Sequence, residues 1–550
     1  MTARNSYSFI APLSTTVDGK PRTIPPPTPL TFPSSTPQSP EYIPPGEIPL
    51  VTFLQTVHRP TDIKLSHFEA LGIHIIPNAS PQEFLPDPSF LPPDDEWTNI
   101  PEESLEDATT ASRRPLSNGN KGPGAKTYLD RRRELSIDNT AAFRTVRRIP
   151  QPKGTGAARL GNAYEFYKNL EVFSSYWLDT SLPKATGSPL DSTENKTGGE
   201  PQETQDTIPR HQQTHVRTGT SSQLPHEYRQ GLITAFIKLV AYDFGCNVSF
   251  PRIEPRLHIH PPLSKSSSPS HFSAMGITML YRTPTDGSSA RAGFLEGPLA
   301  AISCRSTTSF TTPLDSNLDL AREIITILLT AQQRHREGKE EKRFGEGKWW
   351  TTVPRWGGGR GGPIGKEIEA ATSDSISTTT PSTEDKYEDI FRIPVVKFTQ
   401  PSNPERRPPQ KKPRTARLGG QAQMYENYRK MMPPASTWDK KTRYMAIGKP
   451  GGVKGDWDEV FLVSCLNHHV SFLRGRVGKG VLDVIGGEKD EKEGFERTVV
   501  WRTKWYDLFR AEDRVGAMGV VWGMMAWIMR GEEKGDRREV GGVGEMDVEK

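Results

Sequence analysis

Cysteine is scarce in this chain. Three thiols stand in 550 residues, Cys246, Cys304 and Cys465, with no Cys-x-x-Cys spacing among them. That scarcity argues against a disulfide framework and a cysteine-built zinc site, and for a reducing compartment, nucleus or cytoplasm. Apolar residues are few as well, at 33%, so much of the chain cannot bury enough surface to offset its ordering entropy. Net charge is small: 71 basic against 66 acidic side chains leave +5, and any basic footprint must be local. The start, Met1-Thr2-Ala3-Arg4-Asn5-Ser6, lacks the apolar core of a signal peptide. The nearly all-apolar run Val515–Met529 falls short of the roughly 20 residues that a bilayer span needs. No membrane role is expected. Walker loop, nucleophile elbow and His-Glu-x-x-His helix are also missing, so no catalytic residue, metal or cofactor is assigned and an enzyme is not the expectation.

Proline and glycine, by contrast, are abundant, at 49 and 48 residues. Residues 1–155 read as a disordered, proline-rich tail, in which Pro25-Pro26-Pro27-Thr28-Pro29 favours polyproline II suited to an SH3- or WW-type groove. Thr36-Pro37 and Ser39-Pro40 fit proline-directed phosphorylation. Two apolar islands, Pro49–Val57 and Phe68–Pro77, suit anchors onto a folded domain, with Ile73–Ile76 as an edge strand.

Folded pattern occupies 156–350 and 386–531. The expectation is one composite α+β (or α/β) domain made of these two halves. A polar insertion at 182–224 interrupts the first half, a Gly-rich and Ser/Thr-rich linker at 351–385 separates the two, a basic linker lies at 401–420, and a charged tail follows at 532–550. The first half predicts helices over 157–177, 225–244 and 316–337, the last capped by Ser316 and ended by Gly338. Leu232, Ala235, Leu239 and Tyr242 face inward on the second of these. Strands are predicted at 246–250, 253–260, 274–282 and 299–305. The second half predicts strands at 444–447, 459–466, 470–474, 481–485 and 498–502, with 460–473 alternatively a buried helix, then a helix over 505–529. Gly516, Gly519 and Gly523 in that helix suggest close packing.

The stretch Gly345–Gly365 interleaves Lys348, Trp349, Trp350, Arg355, Trp356 and Arg360 before a glycine run. These aromatic and cationic side chains suit recognition of a partner, or stacking of unpaired bases with phosphate neutralisation. The plainer alternative is tryptophans folded back as loop anchors. The run Arg406, Arg407, Lys411, Lys412 and Arg414 fits a nuclear-import signal, a flexible cationic segment for an acidic receptor groove. His258 and His260 alternate onto one strand face, which suits a shared metal ion, whereas the adjacent His468 and His469 should point oppositely beside Cys465. Ordinary surface or hydrogen-bonded histidines are the expectation for all four.

The order helix (225–244), strands (246–305), helix (316–337) resembles the core of the restriction-endonuclease-like, or PD-(D/E)XK, fold. The matching strand ends Ile302-Ser303-Cys304-Arg305, with serine in the place of the family's acid and arginine in that of its lysine. Glu296 lies nine residues before Arg305, too far along the strand to substitute. The resemblance therefore implies a non-catalytic relative. Two functional expectations stand: a non-enzymatic intracellular interaction protein with an unknown protein partner, and, as the alternative, a nucleic-acid-binding protein on a degenerate restriction-endonuclease-like core.

Overall fold

The computed structural model describes residues 26–33, 48–57, 62–152, 154, 156–182, 217–249, 255–261, 269–274, 277–341, 442–450, 455–489 and 495–531, with strand backbone at 16–17, 20–21 and 354–356. The strands that carry the fold are β1 (Ile73–Ile76), β2 (Cys246–Ser249), β3 (Arg256–Ile259), β4 (Ser270–Ser273), β5 (Ile277–Arg282), β6 (Phe294–Arg305), β7 (Glu340–Glu341), β8 (Pro354–Trp356), β9 (Arg443–Ala446), β10 (Trp457–Leu466), β11 (His469–Gly478), β12 (Thr498–Arg502) and β13 (Tyr506–Asp507). The helices needed below are α1 (Leu50–Leu54), α2 (Ala125–Leu135), α3 (Asn139–Arg147), α4 (Tyr164–Ser174), α5 (His226–Ala241), α6 (Pro313–His335), α7 (Lys479–Ile485) and α8 (Ala511–Ile528).

Strand β6 is the centre of a mixed sheet to which ten of the described strands belong. Its apolar run is buried from Leu299 to Cys304, as expected of a strand covered on both faces. On one side β2, β5 and β6 form an antiparallel meander. On the other, β6 pairs in parallel with β10, from Ala301 opposite Leu462 to Arg305 opposite Leu466. A parallel neighbour requires a crossover, and α6 lies in the connection between them. Through this pairing the two sequence halves share one sheet. Beyond β10 the order continues to β11, β12 and β1, with β1 at the edge. The described parts of 1–367 and 443–550 make one compact unit.

The sheet is covered on both faces. On one face, Phe236 and Ile237 of α5, Phe166 and Phe173 of α4, and Val521 and Met525 of α8 share one buried apolar cluster with Phe461 and Phe472. On the other face, Ile324 and Leu328 of α6 meet Leu462, Leu473 and Val500, with Leu50 and Leu54 of α1 in the same cluster. The capping box of α6 is made by Thr312 and Asp315, with Pro313 in its first turn. Ser316, the expected cap, is buried inside the helix instead. A Pro-preceding Thr that can accept the Asp315 N–H outcompetes a serine already within the helical run.

Several expectations are corrected. Val481–Ile485 is helix α7, because an apolar run this short has no periodicity to separate helix from strand. Val460–Leu473 is the β10–β11 hairpin rather than a helix. Tyr242 is 54% exposed, and Ile233, Phe236, Ile237 and Val240 turn inward with Leu232.

The largest difference concerns the expected tail. Within 1–155, residues 62–152 form β1, α2, α3 and shorter helices. Arg131 of α2 grips Asp243 beyond the end of α5 with Nε to Oδ2 at 2.9 Å and Nη2 to Oδ1 at 3.0 Å. Tyr128, Leu135 and Phe143 join the core. A layer that buries only one face can be polar on average, which is why composition misled. The residues following Pro25 also lie along the core, with Thr31 N donating to Thr308 O at 3.0 Å. Gly523 of α8 is packed closely, as its spacing suggested, but against this layer: a Cβ there would stand 2.6 Å from Leu85 Cδ1.

Candidate functional site

At the C-terminal end of β6, Arg305 turns its fully buried guanidinium towards α6. Asp319 and Glu323 sit four residues apart on that helix and so share a face. Arg305 Nε lies 2.6 Å from Asp319 Oδ1, and its Nη2 donates to Asp319 Oδ2 at 3.0 Å, Glu323 Oε1 at 3.1 Å and Ser464 Oγ at 2.8 Å. Ser464 Oγ donates in turn to Glu323 Oε1 at 2.6 Å, and Arg502 pairs with the other Glu323 oxygen. Two cations thus face two carboxylates with almost no solvent exposure. Burial lowers the Arg502 pKa to about 10, against the raising effect of Asp319. This is the position at which the nuclease-like resemblance would hold a metal between acid and lysine. Here Ser303 and a spent guanidinium fill it. Glu296 lies near the start of β6, at the far end from Arg305, paired with Arg282 at 2.6 Å.

A second arrangement lies where the β10–β12 face emerges from the core. The register sets Arg476 opposite Glu459 and Val499, and Arg474 opposite Phe461 and Trp501. Alternate residues share a face, so Trp457, Glu459, Arg474, Arg476 and Trp501 come together. The Arg474 guanidinium stands 3.6 Å from the Trp501 ring centre, and that of Arg476 stands 5.4 Å from Trp501 and 5.4 Å from Trp457. Glu459 steadies both cations, with Arg476 Nε at 2.8 Å and Arg474 Nε at 3.6 Å. Burial, the largest influence, lowers the Arg474 pKa to about 10. Trp457 is 37% exposed. These cations held over ring faces make a preorganised ladder. No local motif marked it, since its members meet only through the register of three strands.

The histidines divide into two groups. His258 lies in β3 and His260 just past its end, their rings stacked with centres 6.0 Å apart and His271 at 6.2 Å from His258. His258 is fully buried, and burial, then His271 and His260, pushes its pKa down to about 2. The expectation for His468 and His469 is overturned. Asn467 and His468 form the two-residue turn between β10 and β11, Asn467 with φ of 54°. His468 is therefore outside the pleat, and the two rings converge to 4.2 Å beside Asp507.

Of the residues singled out for recognition, Lys348, Trp349, Trp350 and Arg360 lie outside the described residues, as do Arg406, Arg407, Lys411, Lys412 and Arg414. Arg355 and Trp356 belong to β8, whose backbone pairs in parallel with β4, Trp356 opposite Phe272. Among the described residues no helix is long and apolar enough to cross a membrane. No protein-family model, curated protein or solved structure matches the chain.

Proposed function

We propose that this protein is a non-enzymatic intracellular interaction protein, in which the α+β core holds a recognition surface for a protein partner. The Trp457–Arg476–Trp501 face, backed by the buried Arg474, carries this reading. Tryptophan and arginine dominate the energetics of protein interfaces when held rigidly at a centre that becomes desolvated, and Glu459 holds these two arginines in place before any partner arrives. The internal pairing of Arg305 supports the non-enzymatic part, because its guanidinium is committed to Asp319 and Glu323. The Lys348–Arg360 loop belongs to the same proposal, and the basic run from Arg406 to Arg414 would serve nuclear import.

A photo-crosslinking residue at the exposed position 455 of the full chain, beside Trp457, tests the reading in cells. A discrete protein adduct is expected that disappears with Trp501→Ala while the thermal transition stays in place. Adducts no stronger than those from a crosslinker at the exposed Tyr242 would overturn it. Replacing Trp349, Trp350 and Trp356 by alanine should likewise abolish binding without unfolding the protein. If that variant unfolds, the loop's role in recognition is lost.

The second reading, nucleic-acid binding on a degenerate restriction-endonuclease-like core, is favoured by one observation. Helix α5, strands β2, β5 and β6, and helix α6 follow the order on which the resemblance rests. Arginine beside tryptophan also suits phosphate neutralisation and base stacking. Its test is binding of a labelled single-stranded RNA or DNA 20-mer, with affinity falling steeply as salt rises.

A further inference from the structure

We infer that His468, His469 and Asp507 form a binding site for one divalent transition-metal ion of the zinc type, a site independent of the proposed interaction surface. One ligand atom from each residue lies within 4.8 Å of the others. His468 Nε2 is 3.8 Å from Asp507 Oδ1, and His469 Nε2 is 3.6 Å from Oδ2. Both separations exceed a hydrogen bond. Ligand atoms around a tetrahedral ion at zinc's bond lengths stand about 3.3 Å apart, so the two histidine–carboxylate separations must close by roughly half an ångström or less.

Regular backbone holds the three ligands. His469 is directly opposite Asp507 in the β11–β13 ladder, where facing side chains are near neighbours. Leu508 N donates to His468 O at 3.0 Å, bringing the turn to the same strand. The carboxylate is oriented from behind: Phe509 N donates to Oδ1 at 2.9 Å, and Thr180 Oγ1 donates to Oδ2. Such outer contacts fix the direction of a metal-binding carboxylate. The His468 ring is boxed by Trp177 at 4.8 Å and Phe509 at 4.9 Å, leaving it little rotational freedom to lose on binding.

The imidazoles supply the independent sign of a ligand. His468 is 2% exposed, and the Nδ1 atoms of both rings are buried with no hydrogen-bond partner in the protein. Since no hydrogen bond within the protein fixes the proton at Nδ1 or Nε2 of either ring, each Nε2, the atom that faces Asp507, can present its lone pair to an ion. Two imidazoles with one carboxylate suit zinc or a similar ion, whereas calcium and magnesium prefer all-oxygen shells. The fourth position opens beside His469, whose side chain is 14% exposed, under Phe32, which meets that ring edge-on at 5.0 Å. In this role the ion staples the β10–β11 turn to β13.

The test uses the full chain, stripped with chelator and titrated with Zn²⁺, then with Co²⁺ for its visible absorption. One equivalent of zinc with a rise in melting temperature is expected, and cobalt bands of a nitrogen- and oxygen-bound ion. His469→Gln should weaken zinc binding by at least about 100-fold and abolish the cobalt bands while its metal-free melting temperature stays close to that of the parent. Asp507→Asn should do the same to the metal readouts, and if it fails to fold, His469→Gln decides. His335→Gln is the control, because His335, Asp483 and Glu488 form the other cluster of this kind among the described residues. It should leave both readouts unchanged. Absence of a cobalt spectrum in the parent, or zinc binding that survives His469→Gln, overturns the site.

Discussion

Replacing Glu323 by glutamine probes the buried charge cluster at its most connected point. The carboxylate receives Arg305 at 3.1 Å, Ser464 at 2.6 Å and Arg502 on its other oxygen, at 0% side-chain exposure. Glutamine keeps one acceptor and puts an NH₂ where the second oxygen stood, so one guanidinium then faces a donor. The buried balance changes from two cations against Asp319 and Glu323 to two cations against Asp319 alone. Removing one partner from a buried pair costs about 3–5 kcal/mol, because the stranded charge retains its desolvation penalty. At 1.4 kcal/mol per decade, this is roughly two to three and a half decades in the folding equilibrium. Guanidinium denaturation of the full chain followed by tryptophan fluorescence would measure it. Adding Arg502→Met removes the stranded cation and should restore about 1.5 kcal/mol or more relative to additivity. A loss below about 1 kcal/mol for Glu323→Gln, or a double variant additive to within about 0.5 kcal/mol, would refute the account.

Three further outcomes are expected. His258 is held neutral in the folded state, with its pKa down at about 2, while the unfolded chain takes the proton near pH 6.5. Its contribution is therefore complete above pH 6.5 and lost as pH falls towards 2, at up to about 1.4 kcal/mol per unit, and His258→Gln should flatten the stability profile between pH 6.5 and 5. Gln332 of α6 clasps the β3 backbone, its amide accepting from His258 N and donating to His258 O, each at 2.9 Å. Gln332→Ala should cost about 1–3 kcal/mol, read by denaturant midpoint, and a neutral result would remove the clasp from the account. A Cβ on Gly475 would stand 2.5 Å from Ile327 Cγ2 where β11 meets α6. Since a β-branched side chain on a helix has little rotamer freedom to give, Gly475→Ala should cost about 1–3 kcal/mol, and the same change made in an Ile327→Ala background should cost less than it does alone.

Local pattern along the chain determined more of this protein than its composition did. Thr498–Arg502 was legible as a strand because its run of β-branched and aromatic residues needs no partner to be seen, and Ile73–Ile76 as an edge strand because its apolar residues stand alone. The 316–337 pattern was legible because its apolar residues recur at helical spacing over many turns. The α+β class followed from such segments.

What only the tertiary structure decided lies in pairings between distant residues. Arg131 reads as surface charge until Asp243 is brought to it, and Trp501 as an isolated aromatic until register sets it beside Arg474. His468 and His469 show the reason most directly. Alternation along a strand separates adjacent side chains, but a two-residue turn lifts His468 out of the pleat, and ladder pairing brings Asp507 from nearly 40 residues further on. Side-chain direction depends on backbone geometry, and backbone geometry at a turn is settled by what the two strands it joins must pack against.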